Sequence, residues 1–163
     1  MSIGAEVRTM QMRENQARKI INTYTWWSAG VSLVPFPFVN IIALTGLQVR
    51  MLQLLSRTYE VPFRRDQGKQ IIIALVGSSL STALTHTVES ALQVVPIVGP
   101  IIGAIAVPSF AGATTYAIGT IFMQHFESGG TFADLDSTTL WEYFRQEFAR
   151  GQQLVSEMQQ SPV

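Results

Sequence analysis

The chain has 163 residues, of which 47% are hydrophobic and only 13% are charged. Soluble domains average about 25% charged residues, so the chain is poor in charge for one domain of this length. A formal net charge of zero argues against nucleic-acid binding. The absence of cysteine excludes disulfides, thiolate metal sites and thiol catalysis.

The first predicted helix covers residues 5–30. It begins amphipathic and becomes wholly apolar, and Trp26 and Trp27 stand where the charged residues end. Tryptophans at such a boundary are typical of anchors at a membrane interface, although a buried aromatic pair in a core is the alternative. Charged side chains in the first 14 residues predict that the chain does not begin with a secretory signal.

An uncharged run extends from Ile20 to Val49 and contains Pro35 and Pro37. The run is long enough to cross a bilayer once, but two prolines one residue apart end a helix. Basic residues flank the run on both sides, which favours a hairpin with both ends on one side of a membrane. Its second arm is predicted from Phe38 to Tyr59, with Gln48 among the residues of its polar side.

A second hairpin is predicted after a polar connector at residues 59–69. Its first arm is a helix from Gln70 to Val94, and Pro96 and Pro100 interrupt the chain before a last apolar helix that ends near Phe126. Small side chains at spacings of four predict close helix packing and a homo-oligomer. These packing positions are Gly99, Gly103, Ala113, Ala117 and Gly119.

The remaining part of the chain has a different pattern. Residues 1–130 are predicted to form the hairpin domain, and residues 131–163 a separate amphipathic helix that begins near Thr138. Asp134, Asp136 or Ser137 could cap this helix. The predicted fold is therefore all-α, with two proline-kinked hairpins of about four to five helices and a C-terminal amphipathic helix.

Two stretches resemble a known family. They are SLVPFPFVNIIALTGLQVRMLQLLSRTYEV at 32–61, and VPIVGPIIG followed by AGATTYAIGTIFMQHFE within 95–127. Together they are similar to the YcjF-type domain of unknown function, family number 697, over about residues 15–130. The resemblance implies a membrane-associated protein and a P-loop GTPase of the Era type as partner. It supplies no catalytic residues, and Asn40 stands where members of that family often have an acidic residue.

Motifs of common enzymes are missing from the sequence. It contains no GxxxxGK[ST], GxSxG or HExxH, so we predict no enzyme activity, no cofactor and no metal site. His86 and Glu89 are a possible polar site within an apolar helix, although a structural role is the alternative. Lipid headgroups could contact three basic residues that otherwise lie in a solvated loop: Arg64, Arg65 and Lys69.

The sequence thus predicts a non-enzymatic helical module that is embedded in or associated with a membrane. It would serve as a scaffold or anchor for a partner such as a P-loop GTPase. Two alternatives are a channel or transporter lined by helix 77–90, and a soluble protein that self-assembles through its apolar hairpins. We expect the inner or cytoplasmic membrane with cytoplasmic termini, or else the cytoplasm.

Overall fold

The computed structural model describes residues 3–33, 37–91 and 99–160. Within these ranges the chain forms five α-helices, which confirms the predicted all-α class. The helices are α1 (Ile3–Val31), α2 (Pro37–Thr58), α3 (Arg65–Ala91), α4 (Gly99–Glu127) and α5 (Ser137–Gln160).

Helices α1 and α2 pack side by side in opposite directions. Arg13 near the start of α1 forms an ion pair with Glu60 just after α2, at 3.1 Å. Further along α1, Ser28 lies close to Gln48 of α2, because both side chains form hydrogen bonds with Thr115. The buried side chains of α1 recur every three or four residues, which is the period of one helical face. They are Ala17, Ile21, Thr25 and Ser28.

Helix α4 is the central helix and packs against α1, α2 and α5. Its near-continuous burial from 111 to 123 explains why this segment needs no polar face. Gly119 of α4 faces both α1 and α2. A Cβ atom at this position would lie 2.8 Å from Ile21 Cγ1 and 3.1 Å from Met51 Sδ, so the glycine sets the spacing of the three helices.

One end of the bundle holds an aromatic cluster around Phe132, which we call the base. The Phe132 ring lies 5.4 Å from the rings of both Phe122 and Phe126, and 5.7 Å from that of Phe63. Aromatic pairs at these separations add to the stability from apolar burial. The cluster joins α4 to the segments that follow α2 and α4.

Helix α3 begins earlier than predicted. The predicted connector ended at residue 69, but α3 starts at Arg65, and the Gly68 amide already donates to the Arg64 carbonyl at 2.9 Å. Gly68 is buried beside Leu52 and Phe132. The composition of 59–69 indicated a loop, but packing on α2 and the base extends the helix through it.

Proline positions agree with the chemistry of helix starts. Pro37 is the first residue of α2 and Pro100 the second of α4, where an amide donor has no helical partner to lose. Pro108 lies inside α4, which continues through it. Pro35 and Pro96 lie outside the described residues, so their predicted role as hairpin kinks remains a prediction.

Helix α5 begins after an aspartate cap. Of the three capping candidates, Asp136 accepts from the Thr139 amide at 3.1 Å, while Asp134 accepts from the Thr131 amide at 2.7 Å. Helix α5 then runs back along α4 in the opposite direction. Gly151 contacts Ala113, and Val155 contacts the position of Gly112.

Candidate functional site

A group of exposed apolar side chains lies at the end of the bundle opposite the base, and we call it the apolar end. Between 49% and 75% of each residue is exposed, although large apolar side chains in helices normally pack against a neighbour. Exposed apolar groups of this kind mark interaction surfaces. The residues are Trp26, Trp27, Leu33, Ile41, Ile42 and Val107.

The two tryptophans face outward because of the register of α1. The buried face of this helix passes through Thr25 and Ser28, so Trp26 and Trp27 between them turn away from the bundle. They are 56% and 62% exposed. The alternative of a core aromatic pair is therefore wrong.

Charged residues do not share this end of the α1–α2 pair. The sequence from Ile20 to Val49 has none, and the charged contacts between these two helices lie near the base. Arg13 reaches Glu60 at 3.1 Å. A surface with tryptophan and aliphatic groups and without charge is suited to lipid or to an apolar protein partner, because neither demands desolvation of an ion.

A buried polar layer lies between the apolar end and the base. Gln48 Nε2 donates to Thr115 Oγ1 at 3.1 Å, and Thr115 Oγ1 donates to Ser28 Oγ at 2.8 Å. Thr114 lies 3.5 Å from the same amide nitrogen. All four residues and Thr25 are completely buried. The layer links α1, α2 and α4 at one level and fixes their register, because a polar group buried without a partner is costly.

The polar layer was not predicted from the sequence, and one assignment was wrong. Gln48 was placed on the polar side of α2, but it is fully buried. Its position among the leucines of α2 could have indicated this. Two atoms of the layer have no hydrogen-bond partner among the described residues, namely Gln48 Oε1 and Thr25 Oγ1.

The predicted packing residues fall into two groups. Ala113 and Ala117 are fully buried, and Gly119 lies against α1 and α2. Gly99 and Gly103 belong to the first turns of α4, where side-chain surroundings lie outside what the structure describes.

The candidate polar residues His86 and Glu89 lie in the last part of α3. Their side chains are outside the described set, so a polar site there remains a prediction. The basic residues Arg64, Arg65 and Lys69 are exposed at the start of α3. They lie at the opposite end of α2 from Ile41 and Ile42. The contact of these three basic residues with lipid headgroups also remains a prediction.

Polar contacts at the base close the loop that follows α4. His125 Nε2 donates to the Thr131 carbonyl at 2.8 Å and lies 3.6 Å from Asp134 Oδ1. The Tyr59 hydroxyl donates to Glu127 at 2.7 Å. Burial, together with this hydrogen bond, raises the pKa of Tyr59 above its ordinary range. These contacts hold the ends of α2 and α4 together.

Two kinds of feature are absent from the described ranges. No group of three or more histidine and acidic side chains there is placed to hold a metal ion. No helix within them combines the length and the hydropathy that a bilayer crossing requires.

The chain is similar to a known protein and to a family profile over most of its length. It is 33% identical over 147 residues to Magnetosome membrane protein 22 of Magnetospirillum gryphiswaldense, which covers 90% of this chain and 75% of the relative. No solved structure matches. The profile of a family described as "Domain of unknown function (DUF697)" matches residues 2–153. Because this match includes all of the first four helices and most of α5, the chain belongs to the DUF697 family.

Proposed function

We propose that the protein is a non-enzymatic helical module that associates with a membrane through its apolar end. The observation that carries this proposal is the exposure of Trp26, Trp27, Leu33, Ile41 and Ile42 on an uncharged part of the bundle. Tryptophan favours the interface between headgroups and acyl chains. Aliphatic side chains beside it gain free energy when lipid replaces water.

The similarity to a protein named as a magnetosome membrane protein supports membrane association. In this arrangement the base faces the aqueous side, together with its ion pairs and the basic residues at the start of α3. The N-terminus would then lie on the cytoplasmic side, because the first turns of α1 point away from the apolar end. Helix α5 runs back along α4 and ends near the apolar end, so this orientation does not support the predicted cytoplasmic position of the C-terminus.

A scaffold or anchor role follows from this orientation. With the apolar end in the membrane, the base remains free to hold a partner. The family resemblance makes a P-loop GTPase the partner to test first. Self-association of the module is part of the same proposal, since the exposed side chains of neighbouring copies could pack within the membrane interface.

Vesicle flotation and tryptophan fluorescence test the membrane proposal. Vesicles of phosphatidylcholine with phosphatidylglycerol would be mixed with a Trp141→Phe variant, in which Trp26 and Trp27 are the remaining tryptophans. We expect a blue shift of the emission and quenching by brominated acyl chains. The double variant Trp26→Ser/Trp27→Ser should bind vesicles at least about tenfold more weakly, because 1.4 kcal/mol of lost apolar transfer already gives that factor.

Tyr143→Ser is the matched control. Tyr143 is 52% exposed, close to the exposure of Trp26, but it lies on α5 near the base. We expect its substitution to leave flotation unchanged. Equal flotation of the double tryptophan variant and the wild type would refute the apolar end as the lipid-binding surface. A defined oligomer that ignores vesicles would favour self-assembly instead.

A further inference from the structure

Helix α5 is attached to the bundle chiefly through α4. The contact is close. A Cβ atom on Gly112 would lie 2.8 Å from Val155 Cγ2, and one on Gly151 would lie 2.9 Å from the Ala113 backbone. The small residues let the two helices approach closely at these two positions.

The face of α4 beneath α5 has an apolar character that continues to the apolar end. No residue from Val94 to Gln124 is charged. Phe110 contacts Phe148 of α5 with ring centroids 5.6 Å apart, and Val107, one turn earlier, is 49% exposed. If α5 left, the uncovered face would extend the apolar end along α4 without a charged interruption.

The contact between α5 and α4 contains an acidic residue at its centre. The buried positions of α5 are spaced by three or four residues, and Glu147 is one of them at 5% exposure. Its Oε1 accepts from Arg150 Nη1 at 2.6 Å, but its Oε2 has no partner among the described residues. An unpaired buried carboxylate oxygen disfavours the packed state, and the cost disappears when water reaches it.

We propose that α5 is a releasable cover, and that the face of α4 beneath it is a second lipid-binding surface. Contact of the apolar end with a membrane places the covered face next to lipid. Glu147 lowers the stability of the covered state, and in this proposal the gain from lipid contact with the face of α4 offsets the packing that is lost when α5 leaves. This inference rests on the proposed membrane association and adds its regulation.

The absence of native cysteine allows a direct test by cross-linking. In the variant Gly112→Cys/Val155→Cys, oxidation would lock α5 onto α4 and reduction would release it. The probe is the same phosphatidylcholine–phosphatidylglycerol vesicle. We expect the reduced form to bind about tenfold more tightly than the oxidised form, because lipid replaces a buried helix face only after release. Hydrogen exchange in α5 should accelerate with vesicles in the reduced form alone.

The outcomes separate the two proposals. In one outcome, the oxidised and reduced forms bind vesicles with equal affinity and show equal hydrogen exchange in α5. That result would refute α5 as a releasable cover but would leave membrane binding through the apolar end supported. If the wild type does not bind vesicles, both proposals fail.

A second variant tests the role of Glu147 without a cross-link. Glu147→Leu removes the unpaired oxygen from the contact, so we expect vesicle-induced hydrogen exchange in α5 to slow by about tenfold. Glu142→Leu makes the same change at an exposed position of α5 and should leave this exchange unchanged. Faster exchange in Glu147→Leu than in the wild type would overturn the assignment of Glu147 as the weak point of the cover.

Discussion

The base and the apolar end are built from the same helices but handle apolar side chains in opposite ways. At the base, Phe122 is fully buried and Phe126 and Phe132 are nearly so. At the apolar end, Trp27 and Ile42 are 62% and 75% exposed. The glycines also differ in packing, according to the helix face that each one occupies. Gly119 is in tight contact with α1 and α2, whereas a Cβ atom added to Gly46 would have no neighbouring atom within 4 Å.

This difference indicates that apolar side chains have two roles in this protein, namely packing of the core and contact at the surface. The aromatic residues of the base stabilise the fold by packing, while the exposed residues of the apolar end add little to its stability and remain available for contact with another phase. The polar layer around Gln48 lies between the packed base and the exposed apolar end. Substitutions can therefore separate stability from membrane binding.

The largest expected effect is at the centre of the aromatic cluster. Phe122→Ala removes a fully buried ring that contacts Phe126 and Phe132, so the free energy of unfolding should fall by about 3–5 kcal/mol. Trp27→Ser, at the apolar end, should change it by less than about 0.5 kcal/mol. Urea unfolding followed by circular dichroism measures both. Equal losses would contradict the division between the two regions.

The glycines give a second comparison of the same kind. Gly119→Val should destabilise the fold by about 1–3 kcal/mol, because its Cβ would contact Ile21 Cγ1 at 2.8 Å. Gly46→Ala should instead stabilise α2 by about 0.5–1 kcal/mol, since alanine favours a helix and the site is open. Thermal unfolding of the two variants beside the wild type tests these opposite signs. A loss at Gly46 would mean that this face of α2 is packed.

The polar layer between the two regions should tolerate an apolar substitution. Gln48→Met keeps the approximate shape of the side chain and removes the unpartnered Oε1 atom. The Thr115 hydroxyl keeps Ser28 Oγ and the Ala111 carbonyl within hydrogen-bond distance and can donate its one proton to either. We expect stability to rise by up to about 1 kcal/mol. Gln48→Ala, which leaves a cavity, should be less stable than Gln48→Met. The reverse order in urea unfolding would show that the amide itself stabilises the layer.

The ends of α2 and α4 near the base offer a matched backbone test. Glu60 and Gly129 both have positive φ, at 59° and 86°. Their amides donate to the carbonyls of Arg57 and Phe126, three residues earlier. Glycine suits this cap best. Glu60→Gly should therefore raise the free energy of unfolding by up to about 1 kcal/mol, reduced by the loss of the exposed ion pair with Arg13. Gly129→Ala should lower the free energy of unfolding by about 1 kcal/mol. Thermal unfolding measures both variants, and a shift of both midpoints in the same direction would contradict this expectation.

The smallest expected effect is a pH dependence at the base. Hydrogen bonds from the Thr131 hydroxyl and amide hold the pKa of Asp134 below its ordinary value of 3.8. Since the folded pKa is the lower one, the stabilisation is present above the unfolded pKa and is lost as the pH falls through the folded pKa. The variant Asp134→Asn should lack this pH-dependent stabilisation. The thermal midpoints of the two proteins should converge between about pH 4 and pH 2, whereas a constant difference would argue against it.

Local sequence patterns were enough to predict the all-α class and most helix limits. Prolines and uncharged runs carry this information locally, because a missing amide donor and the cost of burying charge act within a few residues. The start of α5 near Thr138 was predicted from capping residues, which also act locally, although the choice of Asp136 among three capping candidates required the structure.

Other features depend on how the helices pack. Whether Trp26 and Trp27 face a core or solvent depends on which face of α1 meets α4, and composition does not specify that face. Gln48 is buried because Thr115 and Ser28 arrive from distant parts of the chain, and α3 begins at Arg65 because the base covers Gly68. In each case the deciding partner is far away in sequence, so the free energy that fixes the residue exists only once the helices have packed.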